Sequence, residues 1–125
     1  MSDRELLLLA AKAAGISDAV YSDGVLRDMY DPRDGQAGIE VNHQNSLWKS
    51  LALDGVWNPL TDDGDAFRLA CSLRLDISFL EGFEQIIVDD YHGSNRAEED
   101  YQPDMAAASR RAVVRAAAEI GRTMK

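Results

Sequence analysis

The chain has 125 residues, 46% of them hydrophobic, and it carries a formal net charge of −9. This size and apolar content predict one domain, 1–125, whose core requires neither disulfides nor a metal. The charge argues against non-specific DNA binding, and no apolar run approaches the roughly 20 residues of a membrane span or the pattern of a signal peptide. The single Cys71 cannot form an internal disulfide, which favours a reducing cytoplasm.

The charge is unevenly distributed along the chain. Residues 54–104 carry thirteen acidic side chains against three basic ones, whereas residues 105–125 carry five basic side chains against one acidic one. Such a dipolar molecule is expected to attract a basic partner surface, or the basic helix of another subunit, to its acidic half.

The first predicted element is a helix at residues 4–14. Residues 2–5 have the pattern of a capping box, residues 6–14 are almost all strong helix formers, and Gly15 supplies a stop. Ala and Leu occur on all sides of this helix, so we expect it to bury more than one face or to meet a second subunit. The second possibility predicts a homodimer or a higher oligomer.

Short segments separated by turn residues follow this helix. Residues 19–21 and 25–30, joined by a turn at 22–24, predict a hairpin. Residues 38–41 are typical of a further short strand, whereas residues 43–53 have helix-like apolar spacing and stay ambiguous.

The segment 57–70 combines an apolar anchor, a turn and a helix start. Thr61 or Asp62 can cap the helix, and three carboxylates lie at the positive end of its dipole. The helix is predicted at 63–74, and the same pattern predicts that Cys71 is a core thiol on its packed side.

A second hairpin and a long helix complete the chain. Alternation of apolar and polar residues predicts the hairpin over 75–89, followed by a polar loop over 91–104. The last helix is predicted over 105–122 and capped by Asp104. Together these elements predict an α+β fold in which an antiparallel β-sheet is sandwiched between N-terminal, central and C-terminal helices.

Two stretches of sequence carry a resemblance to a known family, namely residues 57–70 and residues 110–121. Through them the chain resembles the phage ABA sandwich domain family, whose members are small proteins of tailed bacteriophages and prophages. The resemblance implies an α-β-α sandwich over 1–125, a phage origin and a location in the host cytoplasm. Residues 22–56 match weakly, and the family has no established catalytic residues to carry over.

Two groups of residues are candidate cation ligands. Asp62, Asp63 and Asp65 offer oxygen atoms, but their spacing lacks the pattern of a calcium loop and helix capping explains them better. His92 follows two aspartates and could share a metal with His43, although an exposed loop histidine is the simpler interpretation. We therefore predict no metal site and no cofactor.

Basic and aromatic residues form a candidate ligand site. Arg110, Arg111 and Arg115 offer forked donors for an anionic nucleotide, and Trp48 and Trp57 could stack on its base. The alternative interpretation is a solvated helix face for the arginines and a closed small core for the tryptophans.

The acidic residues Glu98, Glu99 and Asp100 are the candidate surface for a host protein with a basic face, with a solvated loop as the alternative. The function that we predict is a non-enzymatic bacteriophage accessory protein that binds a host component. The expected role is anti-defence, either as an inhibitor of a host immune protein or as a sponge for a nucleotide signal. The alternatives are a small metal-dependent hydrolase that uses His43 and His92, and a structural or regulatory oligomer without a ligand.

Overall fold

Three α-helices and two three-stranded antiparallel sheets make up the part of the chain that the computed structural model describes, which is residues 1–16, 19–22, 25–28, 56–90 and 94–124. In chain order the elements are α1 (Asp3–Ala14), β1 (Ala19–Ser22), β2 (Val25–Asp28), β3 (Val56–Trp57), α2 (Asp63–Leu73), β4 (Asp76–Leu80), a 3₁₀ turn (Glu81–Phe83), β5 (Gln85–Asp89), β6 (Arg96–Asp100) and α3 (Met105–Thr123). The α+β class and the three predicted helices are confirmed. No helix among the described residues is long and apolar enough to cross a membrane.

The helix ends follow the predicted capping residues. The Ser2 hydroxyl accepts a hydrogen bond from the Glu5 amide at 3.2 Å, and Gly15 ends α1 in the left-handed conformation with φ of 81°. Asp62 caps α2 by accepting from the Asp65 amide at 2.8 Å. Asp104 caps α3 in the same way, with the Ala107 amide as donor at 3.1 Å.

The first sheet contains the predicted N-terminal hairpin. Strands β1 and β2 pair antiparallel, and β2 also pairs with β3, so that Leu26 lies opposite Trp57. The segment that begins at Trp57 is therefore tied to this hairpin through backbone hydrogen bonds. The strand predicted at 38–41 and the ambiguous segment 43–53 lie outside the described residues.

The second sheet has the strand order β4-β5-β6 and confirms the hairpin predicted over 75–89. The polar loop predicted over 91–104 is wrong in part, because residues 96–100 form β6 and pair with β5. Four of the five β6 residues are charged, which suggested a solvated loop. The fifth, Ala97, is buried opposite Val88, and this one small side chain is what the strand contributes to the core.

Helix α3 is the centre of the core. It packs on β5 and β6, while α1 and α2 both pack on α3. The helix covers the part of one face of the second sheet where Ile86, Val88 and Ala97 are buried. Trp57 lies in the same core and has no exposed surface.

The contact between α1 and α3 depends on small residues. Gly121 lies so close to α1 that a Cβ at this position would be 2.0 Å from the Leu9 carbonyl oxygen. The backbones can approach this closely because alanines occupy much of both helices, including the buried Ala10 and Ala117.

The apolar face of α1 that predicted a second subunit is buried by the chain itself. Leu6, Leu7, Ala10 and Ala11 are in the core, and Leu8 and Leu9 pack against it half-buried. The chain's own core therefore explains the composition of α1, and self-association remains a prediction without this support.

Cys71 is not a core thiol, because the structure places it at the surface. The buried stripe of α2 consists of Asp65, Ala66, Leu69 and Ala70. Cys71 lies four residues after Phe67, so these two side chains share the opposite, exposed face of the helix.

Candidate functional site

The three arginines that predicted an anion site are each paired with an acidic residue of the same chain. The Arg110 guanidinium donates to the Leu60 carbonyl at 2.9 Å and to Asp63 at 2.6 Å. Arg111 pairs with Asp3 at 3.3 Å. The third arginine, Arg115, forms an ion pair with Glu99 of β6. These ion pairs connect α3 to its neighbours.

Arg115 pairs with residues that were predicted to bind a partner. Its guanidinium donates to the Glu98 carbonyl at 2.8 Å and forms an ion pair with the Glu99 carboxylate. Glu98 is half-exposed and pairs with Arg96 at 3.0 Å, and Asp100 is exposed. Arg115 of the predicted anion site and Glu99 of the predicted partner surface therefore neutralise each other's charge within one chain.

The predicted nucleotide residues do not come together in one cleft in the described part of the chain. Arg110 lines an apolar groove beside α2, whereas Arg115 lines a separate polar recess with Arg96. Trp57 is buried in the core, where its indole nitrogen has no hydrogen-bond partner among the described residues. Trp48 lies outside those residues.

The three aspartates at the start of α2 have structural partners. Asp62 caps the helix, and Asp63 pairs with Arg110. Asp65 is buried, and its carboxylate accepts from the Asn58 amide at 2.8 Å and from Arg68 at 2.6 Å. Burial raises the pKa of Asp65 above its usual range, although the hydrogen bonds from the Asn58 amide and from Arg68 oppose this. These contacts agree with the capping interpretation.

The histidine part of the metal hypothesis falls outside the described residues, which include neither His43 nor His92. Asp90 accepts hydrogen bonds from the Ser94 amide and the Asn95 side chain, each at 2.8 Å. Among the described residues no group of three or more His, Cys, Asp or Glu side chains could hold a metal ion.

The strongest candidate for a binding site is an open apolar groove between α2, β4 and α3. It has a volume of about 350 Å³. Large apolar side chains on its walls are exposed, with Phe67 68%, Phe79 56% and Met105 45% accessible to solvent. We call this feature the groove, and its apolar lining is Ala66, Phe67, Ile77, Phe79, Met105, Ala106 and Val113.

The groove exists because α3 covers only part of the apolar face of the second sheet. In one row across the sheet Ala97 and Val88 are buried below α3, while Ile77 at the end of the row is exposed. In the next row Ile86 is buried and Phe79 is exposed. Strand β4 therefore extends the apolar face of the sheet beyond the edge of α3.

The polar groups that line the groove are already hydrogen-bonded within the chain. The Arg110 side chain is only 18% exposed because Asp63 and the Leu60 carbonyl hold it against α2. The Ser109 hydroxyl donates to the Met105 carbonyl at 2.8 Å. Thus the surface that the groove offers to an occupant is mainly apolar.

Sequence reasoning missed the groove because its signals are weak. The alternation of β4 places Ile77 and Phe79 on one face of the sheet, but it gives no information on which strand lies at the edge of the helix layer. A further signal is Phe67, which lies about 100° around α2 from the buried Ala66. A single exposed aromatic residue is ordinary, and Phe67 becomes informative only because the tertiary structure places Phe79 and Met105 beside it.

Searches of protein-family models, of curated proteins and of solved structures find no match to the chain.

Proposed function

We propose that this protein acts by non-covalent binding of a protein partner at the groove. The observation that carries the proposal is the exposure of Phe67, Phe79 and Met105 around one apolar depression. Contiguous apolar patches on a protein surface often mark the site where a partner binds. Buried aromatic anchors are also the side chains that contribute most to the affinity of protein interfaces.

The chemistry of the lining supports a protein segment over a charged small molecule as occupant. Phe67 and Phe79 offer rigid aromatic surface, and Met105 can adapt its shape to the side chain that meets it. Arg110, the cation of the groove, already pairs with Asp63. A nucleotide would have to displace that carboxylate, so a nucleotide sponge is the less favoured form of the proposal.

The overall charge supports a partner with basic residues. The net charge of the chain is −9, and the carboxylate of Asp63 at the groove is 80% exposed. A partner with lysine or arginine beside its apolar residues would gain both burial and electrostatic attraction. The specific form of the proposal is a phage accessory protein that binds and inhibits a host immune protein.

Site-specific crosslinking in bacterial cells tests the proposal. A photoreactive benzoylphenylalanine replaces Phe67 in one protein, and replaces Phe83 in a matched control. Phe83 is 77% exposed but does not line the groove. We expect one partner to be crosslinked from position 67 and not from position 83.

The crosslinked partner is then purified, and its affinity is measured for each variant. We expect Phe67→Ser and Phe79→Ser to weaken binding by at least about tenfold, and Phe83→Ser to change it by less than about twofold. Equal binding by all variants would contradict a role for the groove, as would equal crosslinking from positions 67 and 83.

A further inference from the structure

The second sheet has two edges that differ in character. Strand β6, at one edge, carries charges at four of its five positions, which is a common way to prevent pairing with another chain. Strand β4, at the other edge, has the sequence Asp-Ile-Ser-Phe-Leu, with a charge at its first position only. It contains neither lysine nor proline, and its pairing with β5 is continuous from Asp76 to Leu80 without a bulge.

The outer side of β4 is open among the described residues. The strand order ends at β4, so no described strand pairs with its second edge. All five of its residues are exposed or half-buried. Half of the backbone N–H and C=O groups of such a strand point away from the sheet and are available to a further strand.

The open edge borders the groove. Ile77 and Phe79 belong to β4 and also line the groove, with Phe67 on the opposite wall. A strand added beside β4 would extend the two apolar rows of the sheet by one position each. Because side chains alternate along a strand, every second side chain of the added segment would enter the groove.

The charges next to this edge are mostly acidic. Asp76 begins β4, and Glu81 and Glu84 follow it, all three exposed, with Arg74 as the opposing cation. In an antiparallel pair of two β4 strands the Asp76 end of one copy would lie beside Glu81 and Glu84 of the other, so that each end of the pair would bring three carboxylates together with one arginine, Arg74. A different segment with basic residues fits the edge better than a second copy of this chain does.

We infer that the groove and the open edge of β4 form one site that takes an extended protein segment as an added β-strand. The segment has alternating apolar and basic residues. Its backbone pairs with β4, its apolar side chains fill the groove, and its basic side chains lie near the acidic residues around the edge. This inference rests on the proposed function, since it specifies how the partner occupies the groove.

A peptide of about eight residues that alternates valine and lysine is a suitable probe, because its length matches a short strand. Two further versions carry N-methyl groups on all valine amides or on all lysine amides. In an extended strand the N–H groups of the valines point to one edge and those of the lysines point to the other edge. Only the N–H groups on the edge that faces β4 pair with it, so only one of the two methylated peptides should lose this pairing. We expect one methylated peptide to bind at least about tenfold more weakly than the parent, and the other to bind as the parent does.

Hydrogen exchange and three controls complete the experiment. Amides of residues 76–80 that exchange in the free protein should become protected by the peptide. A valine–glutamate peptide should bind at least about tenfold more weakly, and so should the parent peptide to Phe79→Ser, whereas Met124→Ser, which changes an exposed apolar residue after the end of α3, should bind normally.

The outcomes separate this inference from the proposed function. Equal affinity, or equal loss, for the two methylated peptides overturns strand addition, and so does failure of the parent peptide to bind. If either occurs while the crosslinked partner still depends on Phe67, the groove remains a binding site of another kind. Association of two copies through β4 without peptide would also overturn the inference. Loss of the Phe67 dependence overturns the proposed function itself.

Discussion

The contact between α1 and α3 is apolar, and so is the groove between α2, β4 and α3. The chain buries the first of these surfaces and leaves the second exposed to solvent. At Gly121 the two helices touch through backbone atoms and small side chains, most of which are buried. At the groove, Phe67, Phe79 and Met105 are exposed next to a buried sheet surface. Small residues let two elements of one chain close on each other, whereas large residues at an uncovered strand leave a surface for another molecule.

This difference shows that apolar content does not identify a partner surface. Helix α1 is the most apolar segment of the sequence, and its composition predicted a subunit interface. Its leucines and alanines are instead packed within the monomer. The exposed apolar surface of the groove comes from single large residues, among them Phe67, Phe79 and Met105, in separate segments of the sequence.

The largest expected effect comes from closing the space at Gly121. Gly121→Val places a side chain against the Leu9 carbonyl, where even a Cβ lies at 2.0 Å. We expect a loss of about 3 kcal/mol or more in the free energy of unfolding, measured by urea denaturation. Gly82→Ala is the control, because a Cβ there meets nothing within 4 Å, and it should change stability by less than about 0.5 kcal/mol. Similar stability of both variants would contradict the close contact of α1 and α3.

A second prediction compares two residues of α2. Leu69 is fully buried and Phe67 is 68% exposed, although they are only two positions apart. Leu69→Ala should lower the free energy of unfolding by about 2–5 kcal/mol, whereas Phe67→Ala should change it by less than about 0.5 kcal/mol. Thermal and urea denaturation of the two variants measure this. A large loss of stability in Phe67→Ala would show that Phe67 serves folding and would remove the groove as an open surface.

Local signals in the sequence were sufficient to predict most of the fold. Ser2, Asp62 and Asp104 cap the helices as expected, since a cap is recognised from a few adjacent residues. The hairpin over 75–89 was predicted from alternation, which is also local. Strand β6 was missed because Ala97 is the one apolar residue among four charged ones, so the sequence shows no apolar alternation there.

The candidate site could not be predicted in the same way, because it depends on distant parts of the chain. Whether Phe79 is buried depends on how far α3, more than 20 residues later, extends across the sheet. The arginines of α3 were predicted to bind an anion, yet the fold brings Asp3, Asp63 and Glu99 to them. The electrostatics of a site are set by residues that only the tertiary structure brings together.

A third, smaller effect concerns the first turn of α2, which forms one wall of the groove. Asp62→Ala removes the carboxylate that accepts from the Asp65 amide, and should cost about 1 kcal/mol. Asp63→Ala removes an exposed partner of Arg110 and should cost less than about 0.5 kcal/mol, because exposed ion pairs contribute little. Hydrogen exchange should become faster at the start of α2 in Asp62→Ala, while α1 and α3 keep their protection. If hydrogen exchange became faster to the same extent in all three helices, the first turn of α2 would not be independent of the contact between α1 and α3.

The smallest expected effect is a pH dependence of stability that comes from Asp65, the buried carboxylate of α2. Burial raises the pKa of Asp65 in the folded state. As the pH increases, this carboxyl group therefore ionises first in the unfolded chain, at about pH 3.9. Ionisation of Asp65 therefore lowers stability as the pH rises from the unfolded pKa to the folded pKa, and its contribution is constant at higher pH. Asp65→Asn lacks this titration. The unfolding free energy of the natural chain minus that of Asp65→Asn should decrease across this window and then level off. An increase instead would mean that the hydrogen bonds from Asn58 and Arg68 to the charged carboxylate outweigh its burial.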